Sequence, residues 1–156
     1  MDVRIRTATQ ADAAGIASII REMGWFVSVN AETEAETVER ITAVFEKAEN
    51  SSSYVAFVAE TAEEIVGFAA LHVLPYLIHT GNDGYLSELF IRESARGQGV
   101  GTALLQTVQD EARRRGCFRL RLINVKTRDS YQRGFYAKNG WEEWPDAATF
   151  VYRMDK

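Results

Sequence analysis

A glycine-rich segment between a predicted strand and a predicted helix contains residue types that bind phosphate. It reads Arg96-Gly97-Gln98-Gly99-Val100-Gly101-Thr102. Glycines let phosphate oxygens come close to backbone N–H groups and can adopt positive φ angles, and the start of a helix adds N–H groups and the positive end of its dipole. Arg96 would add a charged donor. The segment therefore predicts a phosphate cradle over residues 96–102.

This segment lacks the pattern of either common nucleotide motif. A dinucleotide fingerprint that begins at Gly97 needs a glycine where Thr102 stands, and a P-loop needs a GK[ST] tripeptide, which the chain does not contain. A glycine-rich loop without any ligand stays open as an alternative. The residues thus indicate a phosphate group on a ligand outside these two classes.

Glu88 is the second group that can do chemistry, because it lies within an otherwise apolar strand. Strict alternation places its side chain on one face with Leu86 and Phe90. A carboxylate on such a face either lines a solvated cleft, where it can act as a base, or is paired with a donor. Both interpretations, a base and a structural charge, stay open.

Length, composition and charge limit the class of protein. The chain has 156 residues, 46% of them hydrophobic and 26% charged, and a formal net charge of −4, which predicts a single domain over residues 1–156. The first ten residues contain no apolar leader, and no apolar run reaches about 18 residues. We therefore expect a cytoplasmic protein with neither a membrane nor a nucleic acid as its partner. Because Cys117 is the one cysteine, and His72 and His79 are the two histidines and have no CxxC pair near them, we expect no metal site.

The elements that must position these residues follow from the apolar periodicity. Strands are predicted at 3–7, 54–59, 65–74, 85–91, 119–125, 141–144 and 149–154. Helices are predicted after the capping boxes Thr9/Asp12 and Thr33/Glu36, and at 99–115 and 129–138, and Gly24 is predicted to stop the first of them. The order β-α-α-β-β-β-α-β-α-β-β predicts an α/β fold, with a mixed sheet and helices on its faces.

Two segments and the element order together resemble a known family. Residues 96–101 match the (Q/R)xxGx(G/A) signature of the GNAT superfamily of acyl-CoA-dependent N-acetyltransferases. The later stretch Phe135-Tyr136-Ala137-Lys138-Asn139-Gly140-Trp141 resembles the family's FYxxxGF segment, with Trp for the final Phe. The element order is similar over the whole chain. The resemblance implies the GNAT-type acyltransferase fold, whose central mixed sheet is mostly antiparallel.

The resemblance further implies acetyl-CoA as co-substrate, no metal, and direct acetyl transfer to a primary amine in a ternary complex. The CoA pyrophosphate would bind residues 96–102. The pantetheine arm would pair with the backbone of the preceding strand at Leu89, Phe90 and Ile91, like an added β-strand. The N–H near Leu89 would polarise the thioester carbonyl.

Roles for two side chains also follow from the resemblance. Tyr136 matches a tyrosine acid that protonates the leaving CoA thiolate, with aromatic packing beside Phe135 as the alternative. Glu88 matches a Glu or Asp that deprotonates the amine, often through water, and a β-bulge, frequent in this strand of the family, would re-aim it. Asp129 stands where many members have an Asn that contacts pantetheine, and we expect it to cap its helix together with Gln132.

The acceptor usually enters this fold between the first two helices and the loop before the central strand. We expect Trp25, Phe26 and Asn30 from the first region, and His79 from the second, to bind the substrate, whereas His72 within a strand is interpreted as structural. We expect the acceptor to be a small-molecule amine or a peptide, and the resemblance implies a possible homodimer, because homodimers are common in the family. Two alternatives stay open: a CoA-binding sensor or regulatory module without catalysis, and a protein acetyltransferase that acts on N-termini or lysines.

Overall fold

The computed structural model describes residues 2–154, and the chain divides between Leu122 and Ile123 into two compact units. The first unit begins with β1 (Arg4–Thr7), a 3₁₀ turn (Gln10–Asp12), α1 (Ala13–Met23), α2 (Val27–Ala31) and α3 (Glu34–Ala48). It continues with β2 (Tyr54–Glu60), β3 (Ile65–Pro75), β4 (Asn82–Ile91), a second 3₁₀ turn (Glu93–Ala95), α4 (Val100–Arg114) and β5 (Cys117–Arg121). The second unit contains two short helices, α5 (Asp129–Gln132) and α6 (Phe135–Lys138).

The five strands form one sheet in the order β1-β2-β3-β4-β5. β1 to β4 pair antiparallel with their neighbours, and β5 lies parallel to β4. The long α4 connects these two parallel strands, as a crossover between parallel neighbours requires. The predicted α/β fold with a mixed, mostly antiparallel sheet is therefore confirmed.

Two hydrophobic cores lie on the two faces of the sheet. On the first, which we call the α1 face, alternate residues of β2 and β3 pack against α1 and α3 through buried side chains: Ala56, Val58, Phe68, Ala70, Ile16, Ile19 and Ile41. On the second, which we call the α4 face, the apolar side of α4 covers the same strands. Its Leu104 is fully buried, and the Leu104 Cδ1 atom would lie 3.2 Å from a methyl group placed on Gly67 of β3. The prediction of helices on both faces is confirmed.

Local capping signals form the helix boundaries that the sequence predicts. In the second capping box, the N–H of Glu36 donates to Thr33 Oγ1 at 3.2 Å and the N–H of Thr33 donates to Glu36 Oε2 at 2.7 Å. α1 ends at Gly24, whose φ of 64° is left-handed. The segment that follows begins with Trp25 and Phe26 and continues into the short α2, which the sequence did not predict.

Two further elements have bounds that differ from the prediction. β5 covers Cys117–Arg121 instead of 119–125, because its pairing with β4 starts at Asn82↔Cys117 and ends at Tyr85↔Arg121. The helix predicted at 129–138 is divided into α5 and α6. Gly134 adopts a left-handed φ of 65° between them, which ends the first helix and starts the second.

The prediction of two strands at 141–144 and 149–154 is wrong. In the described part of the second unit neither segment is a strand, and Phe150 and Tyr152 are 93% and 87% exposed. A strand needs a partner for its backbone hydrogen bonds as well as β-prone residues, and β propensity depends strongly on that context. The aromatic and β-branched residues of these segments favour a strand, but residue type does not supply a neighbouring strand for the backbone to pair with.

Leu104 tests how far the α4 face stabilises the sheet. Leu104→Ala removes a fully buried side chain, so we expect a loss of roughly 2–5 kcal/mol in the free energy of unfolding. Leu77→Ala makes the same chemical change at a fully exposed position of the β3–β4 loop and should change it by less than about 0.5 kcal/mol. Urea unfolding measures both, and equal effects would contradict this description of the core.

Candidate active site

A β-bulge in β4 determines which side chains face α1. The register between β3 and β4 shifts at Ser87, which is an extra residue between Leu86 and Glu88. Residues paired across a sheet share a face, so Glu88 and Phe90 lie on the α1 face, whereas Leu86 is buried on the α4 face. The expected bulge is present. The prediction that Glu88 and Leu86 share a face is wrong, because the extra residue reverses the alternation.

Glu88 belongs to a polar cluster on the α1 face. The Ser87 hydroxyl donates to Glu88 Oε2, and its Oγ lies 2.9 Å from Nε2 of His72, which comes from β3. The ring of His72 is 5.0 Å from that of Tyr54 on β2 and 6.2 Å from that of Tyr85. Burial, assisted by the negative charge of Glu88, raises the pKa of Tyr54 to about 12. This phenol therefore stays protonated at neutral pH.

Sequence reasoning missed three members of this cluster. Tyr54 and His72 lie on different strands, and only the strand register brings them to Glu88. Ser87 had a signal in the sequence, because two adjacent polar residues interrupt the alternation of an apolar strand, as a bulge does. His72, interpreted as structural from its strand position, lies within hydrogen-bond distance of Ser87, the neighbour of the candidate base.

An aromatic group lies on the same face as the carboxylate. The ring of Phe90 is 6.1 Å from that of Trp25 and 5.9 Å from that of Phe26, both in edge-on geometry. The structure therefore brings two predicted substrate residues to the strand of Glu88. Asn30 has a local role: its amide nitrogen donates to the carbonyl of Gly24 at 2.9 Å, which holds the connector together.

His79 lies at the other end of β4. It belongs to the loop that precedes this strand, and its ring is 5.8 Å from that of Tyr76 and 4.4 Å from that of Phe118. Glu88 lies toward the end of the strand that leads into the glycine turn. The structure therefore does not bring His79 together with Glu88.

Asp83 fixes the start of the parallel pair. Its carboxylate is fully buried and accepts hydrogen bonds from Arg119 Nε at 3.0 Å and Arg121 Nε at 2.7 Å, both on β5. Burial by itself would raise the pKa of Asp83, but the two guanidinium groups outweigh it and hold the pKa below its usual range. The ionised carboxylate therefore holds β4 and β5 together at this end.

Beyond this point β4 and β5 separate. Their pairing ends at Tyr85 and Arg121, whereas the pairing of β4 with β3 continues to Ile91. The backbone of residues 86–91 therefore has one edge without a β5 partner. The N–H and C=O groups along such an edge can pair with another extended chain. The predicted pantetheine positions, Leu89, Phe90 and Ile91, all lie on this edge.

The glycine turn follows directly after this edge and has the geometry of an anion cradle. Residues 96–99 are exposed, and Gly97 and Gly99 have positive φ angles of 73° and 82°. A Cβ atom at either glycine would meet nothing within 4 Å, so the space above the turn is open. The first helical hydrogen bond runs from Ala103 N–H to Gly99 O. The N–H groups of residues 100–102 therefore have no acceptor within the helix, as at any helix start.

Side chains hold this turn against its neighbours. Arg96 Nε donates to the carbonyl of Ile91 at 3.3 Å, which keeps its guanidinium beside the end of β4. Gln98 Nε2 donates to the carbonyl of Ser94 at 3.0 Å, and Val100 is buried at the start of α4. The residues present therefore fit a pyrophosphate group, because exposed amides, open space and a cation occur together.

In the second unit, Tyr136 lies in α6 between two aromatic rings. Its ring is 5.0 Å from that of Phe135 and 5.9 Å from that of Trp141. Burial raises the pKa of Tyr136 to about 12, so the phenol is protonated at neutral pH and can donate a proton.

The expectation that Asp129 caps its helix is wrong. The N-cap of α5 is Arg128, and the Asp129 carboxylate forms an exposed ion pair with Arg133 at 3.0 Å instead. The capping box with Gln132 is also absent, because the amide of Gln132 donates to the carbonyl of Lys126 at 2.7 Å. The i,i+4 ion pair with Arg133 takes up the Asp129 carboxylate, which is then not available to cap the helix.

The described residues, 2–154, offer little support for other kinds of site. No group of three or more His, Cys, Asp or Glu side chains in this range is placed to hold a metal ion. No helix in this range is long and apolar enough to cross a membrane. Burial raises the pKa of the Cys117 thiol, which disfavours the reactive thiolate.

Comparison with known proteins identifies the class to which this fold and site belong. Residues 20–141 match the sequence pattern of the Acetyltransferase (GNAT) family. This match covers most of the chain, including α4, the glycine turn and Tyr136. The chain belongs to the GNAT acetyltransferase family, whose co-substrate is acetyl-CoA.

Individual relatives agree with this family. Aminoalkylphosphonate N-acetyltransferase of Salmonella typhimurium is 35% identical over 81 residues, which are 51% of this chain and 51% of that protein. Thialysine N-epsilon-acetyltransferase of Mus musculus is 27% identical over 124 residues, which are 76% of this chain and 72% of that protein. The match to the first of these spans about half of its length. An integron cassette protein of Vibrio cholerae has the same fold, with a TM-score of 0.83 at 20% identity over 99% of this chain and 94% of that chain.

Gly99 tests the phosphate cradle. Gly99→Ala places a methyl group in the open space above the turn, so we expect acetyl-CoA binding to weaken by about tenfold, the equivalent of one lost charge-assisted hydrogen bond. Gly116→Ala is the matched control: its φ of 71° is also left-handed and the space around it is also open, but it lies at the other end of α4. Calorimetric titration with acetyl-CoA should separate the two, and equal affinities would exclude the turn from the binding site.

Proposed function

We propose that this protein transfers the acetyl group of acetyl-CoA to the primary amine of a small molecule, in a ternary complex and without a covalent enzyme intermediate. One observation carries this proposal: the carboxylate of Glu88 and the open edge of residues 86–91 belong to the same strand. A base on the α1 face and a donor on the adjacent edge would meet at β4. The aromatic rings of Trp25 and Phe26 would contact the acceptor there.

The donor would lie along β4 and the glycine turn. Residues 96–102 would hold the pyrophosphate, and the backbone at Leu89, Phe90 and Ile91 would pair with the pantetheine arm. The N–H near Leu89 would donate to the thioester carbonyl oxygen and stabilise the negative charge that develops on it. The open edge and the positive φ angles of Gly97 and Gly99 support this assignment.

The acceptor would approach Glu88 from the α1 face. An ionised carboxylate attracts an ammonium group, and the rings of Trp25, Phe26 and Phe90 offer an apolar wall for the remainder of the molecule. Trp25 and Phe26 are favoured over His79 because the latter lies at the far end of the strand. The names of both curated relatives specify small amines, which supports a small molecule over a peptide.

Two side chains move protons in this reaction. Glu88 takes one proton from the ammonium group, directly or through water, so that the nitrogen gains the lone pair needed for attack. Acetyl-CoA supplies the acyl group as a thioester: the nitrogen bonds to the carbonyl carbon, the C–S bond breaks, and the thiolate leaves. Tyr136 donates its phenolic proton to that thiolate and regains one from the nitrogen through solvent. The products are the N-acetyl amine and CoA with a free thiol, and Glu88 releases its proton to solvent.

Glu88→Gln tests the base. The amide is isosteric but cannot accept the proton, so we expect kcat/KM for the amine to fall by roughly 100-fold. The deficit should shrink as the pH rises toward the amine's own pKa, about 10 for a lysine-like amine, because the acceptor then loses its proton unaided. Glu63→Gln in the exposed β2–β3 loop is the control. Thiol release across a panel of amines measures all three proteins, and an unchanged pH profile in Glu88→Gln would remove Glu88 from this role.

Tyr136→Phe tests the acid. Loss of the phenolic proton should lower kcat by about 100-fold and leave the affinity for acetyl-CoA nearly unchanged, because the hydroxyl acts only as the thiolate leaves. Tyr131→Phe, which removes a hydroxyl bound to Glu143 in the same unit, should keep full kcat. Tight acetyl-CoA binding in the wild type with no turnover on any amine or peptide would favour a sensor, and turnover on peptides alone would favour a protein acetyltransferase.

A further inference from the structure

The hydrogen bonds around Ser87 specify where its one hydroxyl proton goes. The hydroxyl oxygen lies within hydrogen-bond distance of His72 Nε2, at 2.9 Å, and of Glu88 Oε2, and it is 3.5 Å from the carbonyl oxygen of Ala70, which is its weakest contact. An ionised carboxylate can only accept, so the hydroxyl proton points to Glu88 whenever Glu88 is charged. His72 Nε2 must then carry a hydrogen and donate it to Ser87. The three groups form a directed chain from imidazole to hydroxyl to carboxylate.

This chain leaves the two carboxylate oxygens of Glu88 in different situations. Oε2 accepts from Ser87, whereas Oε1 accepts no hydrogen bond from residues 2–154. The bulge produces this arrangement, because it places two consecutive residues, Ser87 and Glu88, opposite a single residue of β3. His72 reaches Ser87 from β3, two residues along from Ala70, the partner of Glu88.

We infer that Ser87 and His72 are positioning residues for the deprotonation of the acceptor: they hold Oε2 of Glu88 so that Oε1 faces the incoming ammonium group. This inference rests on the proposed function of Glu88. The proton moves from the ammonium nitrogen to Oε1, which turns the carboxylate into a carboxylic acid and the ammonium into a neutral amine. Neither Ser87 nor His72 touches the reacting atoms.

Paired variants separate positioning from structure. Ser87→Ala and His72→Leu each break the chain, and each should lower kcat by about tenfold, the value of one hydrogen bond to a charged group, with the KM for acetyl-CoA within about twofold of wild type. Ser87→Thr and His72→Gln retain a hydroxyl and a donor nitrogen and should restore most of kcat.

Nitrogen NMR of His72 tests the same chain without turnover. At neutral pH the imidazole should carry its hydrogen on Nε2, and Glu88→Gln should change its signals, since a neutral amide no longer requires the same donor direction. A wild-type imidazole with its hydrogen on Nδ1 alone would overturn the inference, even if no acceptor amine had been found.

The outcomes distinguish this inference from the proposed function. If Glu88→Gln reduces kcat/KM but Ser87→Ala and His72→Leu leave kcat unchanged, Glu88 remains the base and the positioning role is wrong. If the chain variants lose stability and kcat together and the conservative variants do not restore them, the role is structural and the inference is again wrong. If Glu88→Gln has no effect while Nε2 carries the hydrogen, the hydrogen-bonded chain exists but the proposed base is wrong.

Discussion

One additional residue in the central strand determines how the candidate site is arranged. If Ser87 took part in the regular alternation of β4 instead of forming a bulge, Leu86 would lie on the α1 face beside Glu88 and Tyr85 would leave that face. With the bulge, Leu86 joins the hydrophobic core under α4, and a carboxylate, a hydroxyl and an imidazole meet on the other face. The same irregularity therefore satisfies two requirements that usually conflict: a dry core on one side of the sheet and a polar cluster on the other.

A second constraint acts at the start of the same strand. The buried Asp83 carboxylate binds two arginines of β5, which keeps the parallel pair together where it begins. Because this clamp holds only one end, the strands can separate after Tyr85 without loss of the sheet. The separation is what frees the β4 backbone next to the glycine turn. The Asp83 ion pairs lie at the start of β4, the separation from β5 follows after Tyr85, and the glycine turn comes after the end of the strand. One strand therefore positions both the polar cluster and the glycine turn.

Structural features that depend on a few consecutive residues could be predicted from the sequence. Features that depend on which strands pair, and in which register, could not. The glycine turn, the capping box at Thr33 and the stop at Gly24 are local, and each occurs as predicted. The approach of His72 to Glu88 depends on a register between strands, which periodicity cannot specify. The prediction of the C-terminal strands was wrong for a related reason, because aromatic and β-branched residues favour a strand but do not show which strand it would pair with. Tyr136 was identified only through family resemblance, since nothing local distinguishes it from a packed aromatic residue.

The unpaired stretch of β4 also bears on how the protein behaves in storage and at high concentration. Exposed strand edges are templates for pairing with other chains, and proteins usually protect them with charge, proline or a covering segment. Residues 86–91 contain a single charged side chain, Glu88, and no proline. If pantetheine pairs along this edge, the donor shields it as well as supplying the acetyl group. In that case the ligand-free protein would be the form in which this edge is left without a partner strand, and a saturating level of CoA would protect it.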